Sequence, residues 1–354
     1  MLRIALIVGA GFSVPAGISS ANQLARQFLT TPVEPGPVDD AITEALTDFW
    51  TKVFGADGET QPTLEEHFTV LDLAANTGHQ LGRHYPPRKL RAIRRLSIHR
   101  MFQVLDRHYR HSPAIATLLK KLSTADPRLA VVSLNWDIVA EKHLGVLNAQ
   151  YKYDIDVRDM EGDAIERGPI RLYKMHGSSN WLYCDSCRQL YAPGNSGKGA
   201  LNLNAYLEPH DFQALRFKDV AEGVRQLTRN PRKCTWCRNR LAGRLATFSY
   251  RKAFSINQFQ TIWDRAYSAL ARASRWLFIG YSMPEADFEF KHLLKAAQLA
   301  RPKASDLSIY VLLKDDERAE ARYKGYFGNH LEGVSQIGVE QWVDSELKNW
   351  LKLR

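Results

Sequence analysis

Five short apolar runs separated by helical patterns restrict this chain to one class of fold. Each run is an almost unbroken series of Val, Ile, Leu and aromatic residues, as expected of strands buried on both faces of a parallel sheet. The runs lie at 3–8, 129–134, 170–175, 276–281 and 308–313. The clearest helical patterns lie at 20–29, 90–109, 113–122, 256–273 and 287–299. This alternation predicts an α/β protein with a Rossmann-like parallel sheet and helices on both faces.

Two segments interrupt the alternation and divide the 354 residues into three predicted parts. Residues 30–111 are predicted to be a helical insertion that begins with a Pro-rich loop. Residues 184–252 hold all four cysteines and several loop signals, and we expect a small zinc-binding module there. The Rossmann-like domain is then expected to comprise 1–29 together with 112–183 and 253–354.

Composition and charge narrow the class of partner. The chain is 45% hydrophobic and 24% charged, which is ordinary for a globular protein. No apolar run approaches the roughly 18 residues that a membrane span needs, so we expect a soluble, cytoplasmic protein without a membrane partner. The net charge is +10. Residues 83–110 hold nine Lys or Arg and one acid, and residues 225–252 hold nine Lys or Arg and no acid. These basic patches indicate a nucleic acid or another anionic partner, or are solvated faces.

Glycine-containing loops follow two of the predicted strands. Residues 9–13 read Gly-Ala-Gly-Phe-Ser after the first strand, and residues 280–282 read Gly-Tyr-Ser after the fourth. Glycine allows a tight turn and the close approach of a phosphate to the backbone. The third glycine of a full dinucleotide fingerprint would fall at Val14, so the first loop is either a nucleotide-binding loop or a simple turn. Ser282 is either a ligand group or the cap of the next helix.

Polar side chains follow two further strands. Asn135 and Asp137 come after the run at 129–134, and His176 comes after the run at 170–175. Ligands of parallel α/β sheets bind at the carboxyl ends of the strands, where these residues are expected. Asn can orient a water or a ribose hydroxyl, Asp can accept a hydrogen bond, and His can serve as a general base. The structural alternatives are a helix cap for Asp137 and a buried structural role for His176.

The four cysteines form two Cys-x-x-Cys pairs. They are Cys184 with Cys187 and Cys234 with Cys237. Two such pairs supply the tetrahedral Cys₄ set that is typical of structural Zn²⁺. Redox dithiols are the alternative, although the pairs lack the βαβ setting of that chemistry.

Taken together, these motifs resemble those of the sirtuin (SIR2) superfamily. Residues 9–18 are similar to the family's first NAD-binding motif, and Asn-Trp-Asp at 135–137 matches its Asn-x-Asp motif. His-Gly at 176–177 matches its catalytic motif, and the cysteine pairs follow as its zinc knuckles do. Residues 280–282 stand where the family has its phosphate and ribose loop. The motifs occur in the family's order between residues 3 and 315.

The resemblance implies that NAD⁺ is bound as a substrate across the strand ends. The implied catalytic residues are Asn135 and Asp137, which would position the nicotinamide ribose and carboxamide, and His176 as a base. The four cysteines would hold a structural Zn²⁺. The residues implied to bind the cofactor are Gly9, Ala10, Gly11 and Ser13 at the diphosphate, and Gly280, Tyr281 and Ser282 at the adenosine side.

Departures from the deacylating sirtuins favour a different reaction. The loop after residue 18 lacks the Phe-Arg pair of those enzymes, and residues 245–252 do not resemble their peptide-pairing strand. Residues 176–181 and 280–287 look instead like divergent prokaryotic SIR2-like proteins, which cleave NAD⁺ to ADP-ribose and nicotinamide as antiphage effectors. This likeness implies an NAD⁺ glycohydrolase. An NAD-dependent protein-lysine deacylase and a non-catalytic subunit that binds NAD⁺ or ADP-ribose are the alternatives.

The same likeness implies partners. Proteins of that group are often oligomers that act beside a DNA-translocase ATPase or a short Argonaute, so we expect a homo-oligomer with a partner of this kind. In the non-catalytic alternative, the helix at 83–110 would dock that partner. The apolar pattern at 340–352 predicts either core packing or an assembly face.

Overall fold

The computed structural model describes most of the chain. The described residues are 3–19, 21–30, 36–57, 60–77, 80–163, 168–192, 207–243, 257–285, 287–301, 303 and 307–352. The strands are β1 (Ile4–Val8), β2 (Ala130–Ser133), β3 (Tyr151–Lys152), β4 (Val157–Arg158), β5 (Ile170–Lys174), β6 (Leu182–Tyr183), β7 (Leu190–Tyr191), β8 (Arg275–Ile279), β9 (Ser308–Leu312) and β10 (Leu331–Ser335). The α-helices are α1 (Ala10–Ser13), α2 (Ala21–Thr30), α3 (Pro37–Phe54), α4 (Leu64–Thr77), α5 (Pro87–His108), α6 (Pro113–Ala125), α7 (Val139–Val146), α8 (Pro209–Ala214), α9 (Lys218–Leu227), α10 (Asn257–Arg272), α11 (Phe288–Leu299), α12 (Glu317–Phe327), α13 (Gly338–Ser345) and α14 (Leu347–Lys352).

Seven strands form one parallel sheet in the order β10-β9-β8-β1-β2-β5-β3. Every residue of β1, β2 and β8 is buried, because helices cover both faces of the sheet. The predicted Rossmann-like α/β fold is therefore confirmed. Each of the five apolar runs corresponds to one strand of this sheet.

The strand order reverses at β1. From β1 the chain adds β2 and β5 on one side, and later adds β8 and β9 on the other. Val8 is in register with Ser133 of β2 and with Ile279 of β8, and Ser133 is in register with Lys174 of β5. These strands therefore end side by side at the carboxyl edge, where ligands of open α/β sheets bind. The loops after β1, β2, β5 and β8 meet there.

The predicted helical patterns are present in the structure as α2, α5, α6, α10 and α11. Helices α3, α4 and α5 lie within the predicted insertion at 30–111, and the boundaries of the three parts stay predictions. In the C-terminal pattern, Trp342, Leu347 and Trp350 are buried in the main core, so this pattern reports core packing. Within the described residues, no helix combines the length and the apolar character required to cross a bilayer.

The basic window at 83–110 combines a largely buried helix, α5, with five exposed cations, which are Arg83, Arg88, Arg91, Arg107 and Arg110. Every residue of α5 from Leu96 to Leu105 is buried, including the charged Arg100. Part of the positive charge is neutralised within the molecule by three ion pairs, which are Arg94 with Asp72, Arg95 with Asp211 and Arg100 with Asp39. The exposed cations leave both the solvated-face and the anionic-partner alternatives open.

Three two-residue strands form a second, small sheet in the order β4-β7-β6. Leu182 and Tyr191 of this sheet pack with Cys184, Cys234 and Leu241 in a small hydrophobic cluster, whereas Val157, Tyr183 and Leu190 belong to the main core. The cysteine turns therefore have their own centre of packing among the described residues.

Candidate functional site

The loops after β1 and β8 pack directly against each other through glycines. A Cβ atom on Gly11 would lie 2.7 Å from the Gly280 Cα, and one on Gly280 would lie 2.3 Å from the Gly11 carbonyl carbon. The N–H groups of Gly9 and Gly11 donate to the carbonyls of Ile279 and Gly280 at 3.0 and 2.9 Å. Close approach of the two loops thus explains these glycines without a ligand. Their predicted role at a diphosphate stays a prediction, as does that of Ala10, the first residue of α1.

The structure brings Ser13, Asn135 and Asp137 together in one hydrogen-bonded series. Asn135 Nδ2 donates to the Gly9 carbonyl at 2.9 Å and to Ser13 Oγ at 3.2 Å, and Ser13 Oγ donates to Asp137 Oδ2 at 2.8 Å. The other carboxylate oxygen, Asp137 Oδ1, accepts from the Val139 N–H at 3.0 Å at the start of α7. Asp137 therefore serves as a helix-end acceptor and also binds the loop after β1. These contacts hold the Asn135 amide nitrogen and orient its oxygen away from them.

His176 lies next to this series. Its Nδ1 is 3.0 Å from the carbonyl oxygen of Leu134, the residue before Asn135, and the ring is buried. A backbone carbonyl only accepts, so Nδ1 carries the proton and Nε2 is the basic nitrogen. Trp136 Nε1 donates to the His176 carbonyl at 3.1 Å, which ties the loop after β2 to the loop after β5. This tautomer is the one that a histidine base requires.

A buried ion pair supports the loops after β2 and β5, and it was not predicted from the sequence. Lys174 Nζ lies 3.2 Å from Glu141 Oε1, with side chains 0% and 4% exposed. Lys174 Nζ also donates to the Asp137 carbonyl, and Ser178 Oγ donates to Glu141 Oε1 at 3.3 Å. Burial raises the pKa of the Glu141 carboxyl, against the opposing charge of Lys174. A lysine at the buried carboxyl end of a mostly apolar strand is the signal that could have revealed this pair.

The loop after β8 is anchored by α12. The Tyr281 hydroxyl donates to Asp287 Oδ2 at 2.7 Å, and the Tyr323 hydroxyl donates to the Tyr281 carbonyl at 2.9 Å. Arg322 Nε donates to the Ser282 carbonyl at 2.9 Å. Helix α11 begins only at Phe288, after Asp287, so the alternative role of Ser282 as its cap is wrong.

The Tyr281 side chain lies in the core, 5% exposed. Burial and the charge of Asp287 raise the pKa of its hydroxyl well above the ordinary value, so the group stays neutral and donates. Tyr281 thus holds the loop in shape. Ligand contacts of Gly280, Tyr281 and Ser282 stay predictions.

The four predicted metal ligands converge. Their Sγ atoms all lie within 4.8 Å of one another. Cys184 Sγ is 3.3 Å from Cys237 Sγ, and Cys187 Sγ is 3.4 Å from Cys234 Sγ, so each close contact joins one pair to the other. A four-thiol set of this kind fits a structural Zn²⁺.

Each cysteine pair lies in the same backbone turn. The Arg188 N–H donates to the Cys184 carbonyl at 2.8 Å, and the Arg238 N–H donates to the Cys234 carbonyl at 3.1 Å. Both arginines adopt the left-handed conformation, with φ of 60° and 61°. The sequence repeats Cys-x-x-Cys-Arg at both turns, which is the local signal for this geometry.

Hydrogen bonds favour the thiolate form of Cys234. Burial raises its pKa, but hydrogen bonds from the Cys237 backbone and the Tyr191 hydroxyl outweigh burial and lower it to about 6. The Tyr191 oxygen is 3.2 Å from Cys234 Sγ. Because metals bind the thiolate, this environment suits Cys234 as a metal ligand, whereas burial raises the pKa of the Cys184 and Cys187 thiols.

No family model matches the sequence, and no curated protein is significantly similar to it. Similar solved structures are Sir2 proteins. A Sir2 complex with a p53 peptide and NAD⁺ is 14% identical with a TM-score of 0.45, over 98% of this chain and 93% of that one. A Sir2 bound to an acetylated peptide is 13% identical with a TM-score of 0.40, over 98% and 93%. Likeness at this level assigns neither a family nor an activity to this chain.

Proposed function

We propose that this chain is a SIR2-like NAD⁺ glycohydrolase, which cleaves NAD⁺ to ADP-ribose and nicotinamide. The observation that carries the proposal is the hydrogen-bonded series of Asn135, Ser13 and Asp137, with His176 bound to the carbonyl that precedes Asn135. The series lies at the carboxyl edge of the sheet beside the strand-order reversal, where nucleotides bind in folds of this class. The sirtuin-like order of the motifs in the sequence supports NAD⁺ as that nucleotide.

The reaction needs few groups, and this site offers them. The bond between ribose C1′ and the nicotinamide nitrogen breaks, and its electron pair leaves with neutral nicotinamide. Water forms the new bond to C1′, and its proton passes to a base and then to solvent. Positive charge develops on the ribose as in glycoside hydrolysis. We assign the base to His176 Nε2, and the positioning of ribose and water to the Asn135 oxygen and Asp137.

Each remaining group has an assigned place in this proposal. The loops 9–13 and 280–282 would hold the diphosphate and the adenosine side. Zn²⁺ would be held by the four cysteines and would supply a structural cross-link between their two turns. The Lys174–Glu141 pair would keep the loops after β2 and β5 in register.

Hydrolysis is favoured over deacylation by the sequence after the cysteine module. Residues 245–252, which lie outside the described part of the chain, do not resemble the strand with which deacylases pair an acyl-lysine peptide. Without a peptide oxygen to capture the ribosyl cation, water is the acceptor. We further propose a role in prokaryotic antiphage defence, as a homo-oligomer with an ATPase or Argonaute partner, on the likeness of residues 176–181 and 280–287.

The test is product analysis with matched variants. Purified protein is incubated with NAD⁺, with and without an acetyl-lysine peptide, and the products are separated by chromatography. We expect ADP-ribose and nicotinamide without peptide, and a loss of 10²-fold or more in His176→Ala and Asn135→Ala. His330→Ala, at an exposed histidine far along the chain, is the matched control and should keep full activity.

The other outcomes separate the alternatives. Products that require the peptide, including O-acetyl-ADP-ribose, would replace the hydrolase with the deacylase. A folded protein that binds NAD⁺ but does not turn it over at any peptide concentration would support the alternative of a non-catalytic subunit. Phage infection of cells that carry the gene tests the defence role. After infection, cellular NAD⁺ should fall in cells with the unaltered chain and persist in cells with His176→Ala.

A further inference from the structure

A cavity of about 460 Å³ lies far from the sheet edge, between α3, the start of α5 and the turn that joins α8 to α9. Its size is within the range of small-ligand sites. Apolar side chains, among them Ile93 and Phe217, form part of the lining, together with the ring of Tyr85. The described residues thus line a half-open space whose volume suits a molecule of nucleotide size.

Four cations converge on this cavity. Arg83, Arg88, Lys89 and Arg216 all line it. Burial lowers the pKa of the Lys89 ammonium, and the charges of Arg216, Lys52 and Arg88 lower it further, against Asp48. Arg83, Arg88 and Arg216 are exposed and Lys89 is half-buried, so this group of like charges can attract an anion from solvent.

The acids of the lining do not balance these cations. Asp48 and Glu44 are the two carboxylates of the lining. Asp48 already contacts Lys52, outside the lining, at 2.5 Å and accepts from the Tyr85 hydroxyl at 2.9 Å. Further along α5, by contrast, the three buried or half-buried arginines described above each contact an aspartate.

The start of α5 adds to the positive potential. Arg88 and Lys89 occupy the first turn of this 22-residue helix, and that first turn contains no acidic residue. Cations at a helix N-terminus oppose the helix dipole, and a bound anion there would remove the conflict. Arg216, in the turn opposite, holds a left-handed backbone with φ of 75° although it is not glycine.

We propose that this cavity is a binding site for a phosphate-bearing small molecule of nucleotide size. Arginine guanidinium groups bind phosphate oxygens through paired N–H donors, and the apolar lining receives the remainder of the ligand. The site is distinct from the one proposed for NAD⁺. The full length of α5, roughly 33 Å at 1.5 Å per residue, separates the cavity from the Ala16–Gly17 turn after β1, which contacts the other end of the helix.

Isothermal titration of the full chain with ADP and with inorganic pyrophosphate at low ionic strength tests the proposal. We expect binding, weakened about tenfold or more in Arg88→Gln and in Arg216→Gly, because each loses a charge-assisted contact. Arg91→Gln removes an exposed arginine of the same helix outside the lining and should bind like the unaltered chain. Arg216→Gly also relieves the left-handed strain, so its melting temperature should not fall and lost binding cannot reflect unfolding.

Asn135→Ala, at the sheet edge, distinguishes the two sites. ADP binding that persists in this variant and is lost in the cavity variants supports the cavity, whether or not NAD⁺ is turned over. Binding that is lost in Asn135→Ala and kept in both cavity variants would assign the ligand to the sheet edge and overturn the proposal. If neither ADP nor inorganic pyrophosphate binds at millimolar concentration, the proposal is overturned as well.

Discussion

His67 shows how a single buried side chain makes the stability of this protein depend on pH. It lies in α4, fully buried, with Nδ1 accepting from Trp50 Nε1 at 2.9 Å and Nε2 at 2.7 Å from Ser97 Oγ. Ser97 Oγ donates to the Ile93 carbonyl, so His67 Nε2 must be the donor to Ser97. Both ring nitrogens are therefore committed in the neutral form. Burial lowers the pKa of His67 to about 3.

Acid should therefore destabilise the fold through His67. The unfolded chain takes up a proton near pH 6.5 and the folded chain only near pH 3, so stability present above pH 6.5 is lost as the pH falls. The loss is about 1.4 kcal/mol per pH unit in this window. Urea unfolding at pH 7.5 and 5.5 measures it, with His67→Gln as the comparison, since glutamine can keep an acceptor for Trp50 and a donor for Ser97. An equal pH response in both proteins would contradict this assignment.

At the scale of the element, long strands were predictable and short ones were not. The five predicted strands lie in mostly apolar runs, and β1, β2 and β8 are buried throughout, which leaves a clear pattern in sequence. The two-residue strands of the small sheet carry no periodicity, and β10 is half exposed with a glycine at its centre, so neither could be predicted. Helix α5 was predicted, but its burial was not, because its basic residues suggest solvent and only the fold supplies the aspartates that contact them.

The same limit applies to the candidate site. Asn135, Asp137 and His176 were found because each follows an apolar run, and parallel strands bring such positions to one edge. Lys174 and Glu141 were missed because their pairing joins a strand to a helix, which spacing alone does not reveal. For the glycines of the first loop the sequence left a nucleotide-binding loop and a simple turn as alternatives; the packing of the two loops already requires glycine there, and ligand contacts stay a prediction.

The contact between the loops after β1 and β8 gives a prediction for Gly280→Ala. Gly280 has φ of +61°, and a Cβ there would lie 2.3 Å from the Gly11 backbone. We expect a loss of more than about 2 kcal/mol in the free energy of unfolding, because the two loops must separate. Gly55→Ala is the control: it has φ of +68° but open space around the Cβ position, so it should cost only about 1 kcal/mol. Equal losses in the two variants would show that backbone conformation alone, and not the packing of the loops, requires Gly280.

At the scale of the whole molecule, the helical insertion and the sheet share one core. Residues of α3, α4 and α5 belong to the same hydrophobic cluster as β1, β2 and β8. The rings of Phe68 in α4 and Phe102 in α5 contact Trp136 at centroid distances of 6.0 and 6.4 Å. Because Trp136 stands between Asn135 and Asp137, the insertion packs directly behind the candidate site.

This packing predicts how the protein unfolds. With a common core, the insertion and the sheet should melt in one cooperative transition, for which the calorimetric and van't Hoff enthalpies agree. The two cysteine turns pack in a small cluster of their own, although Tyr183 and Leu190 beside them belong to the main core, so removal of metal by a chelator should open the turns locally. Hydrogen exchange should then rise at 184–188 and 234–238 and stay unchanged in β1, β2 and β8. Cys187→Ser should reproduce the effect without chelator. Two well-separated transitions in the metal-loaded protein would instead show that residues 30–111 fold as an independent domain. Global unfolding on chelation would show that the cysteine turns support the main core.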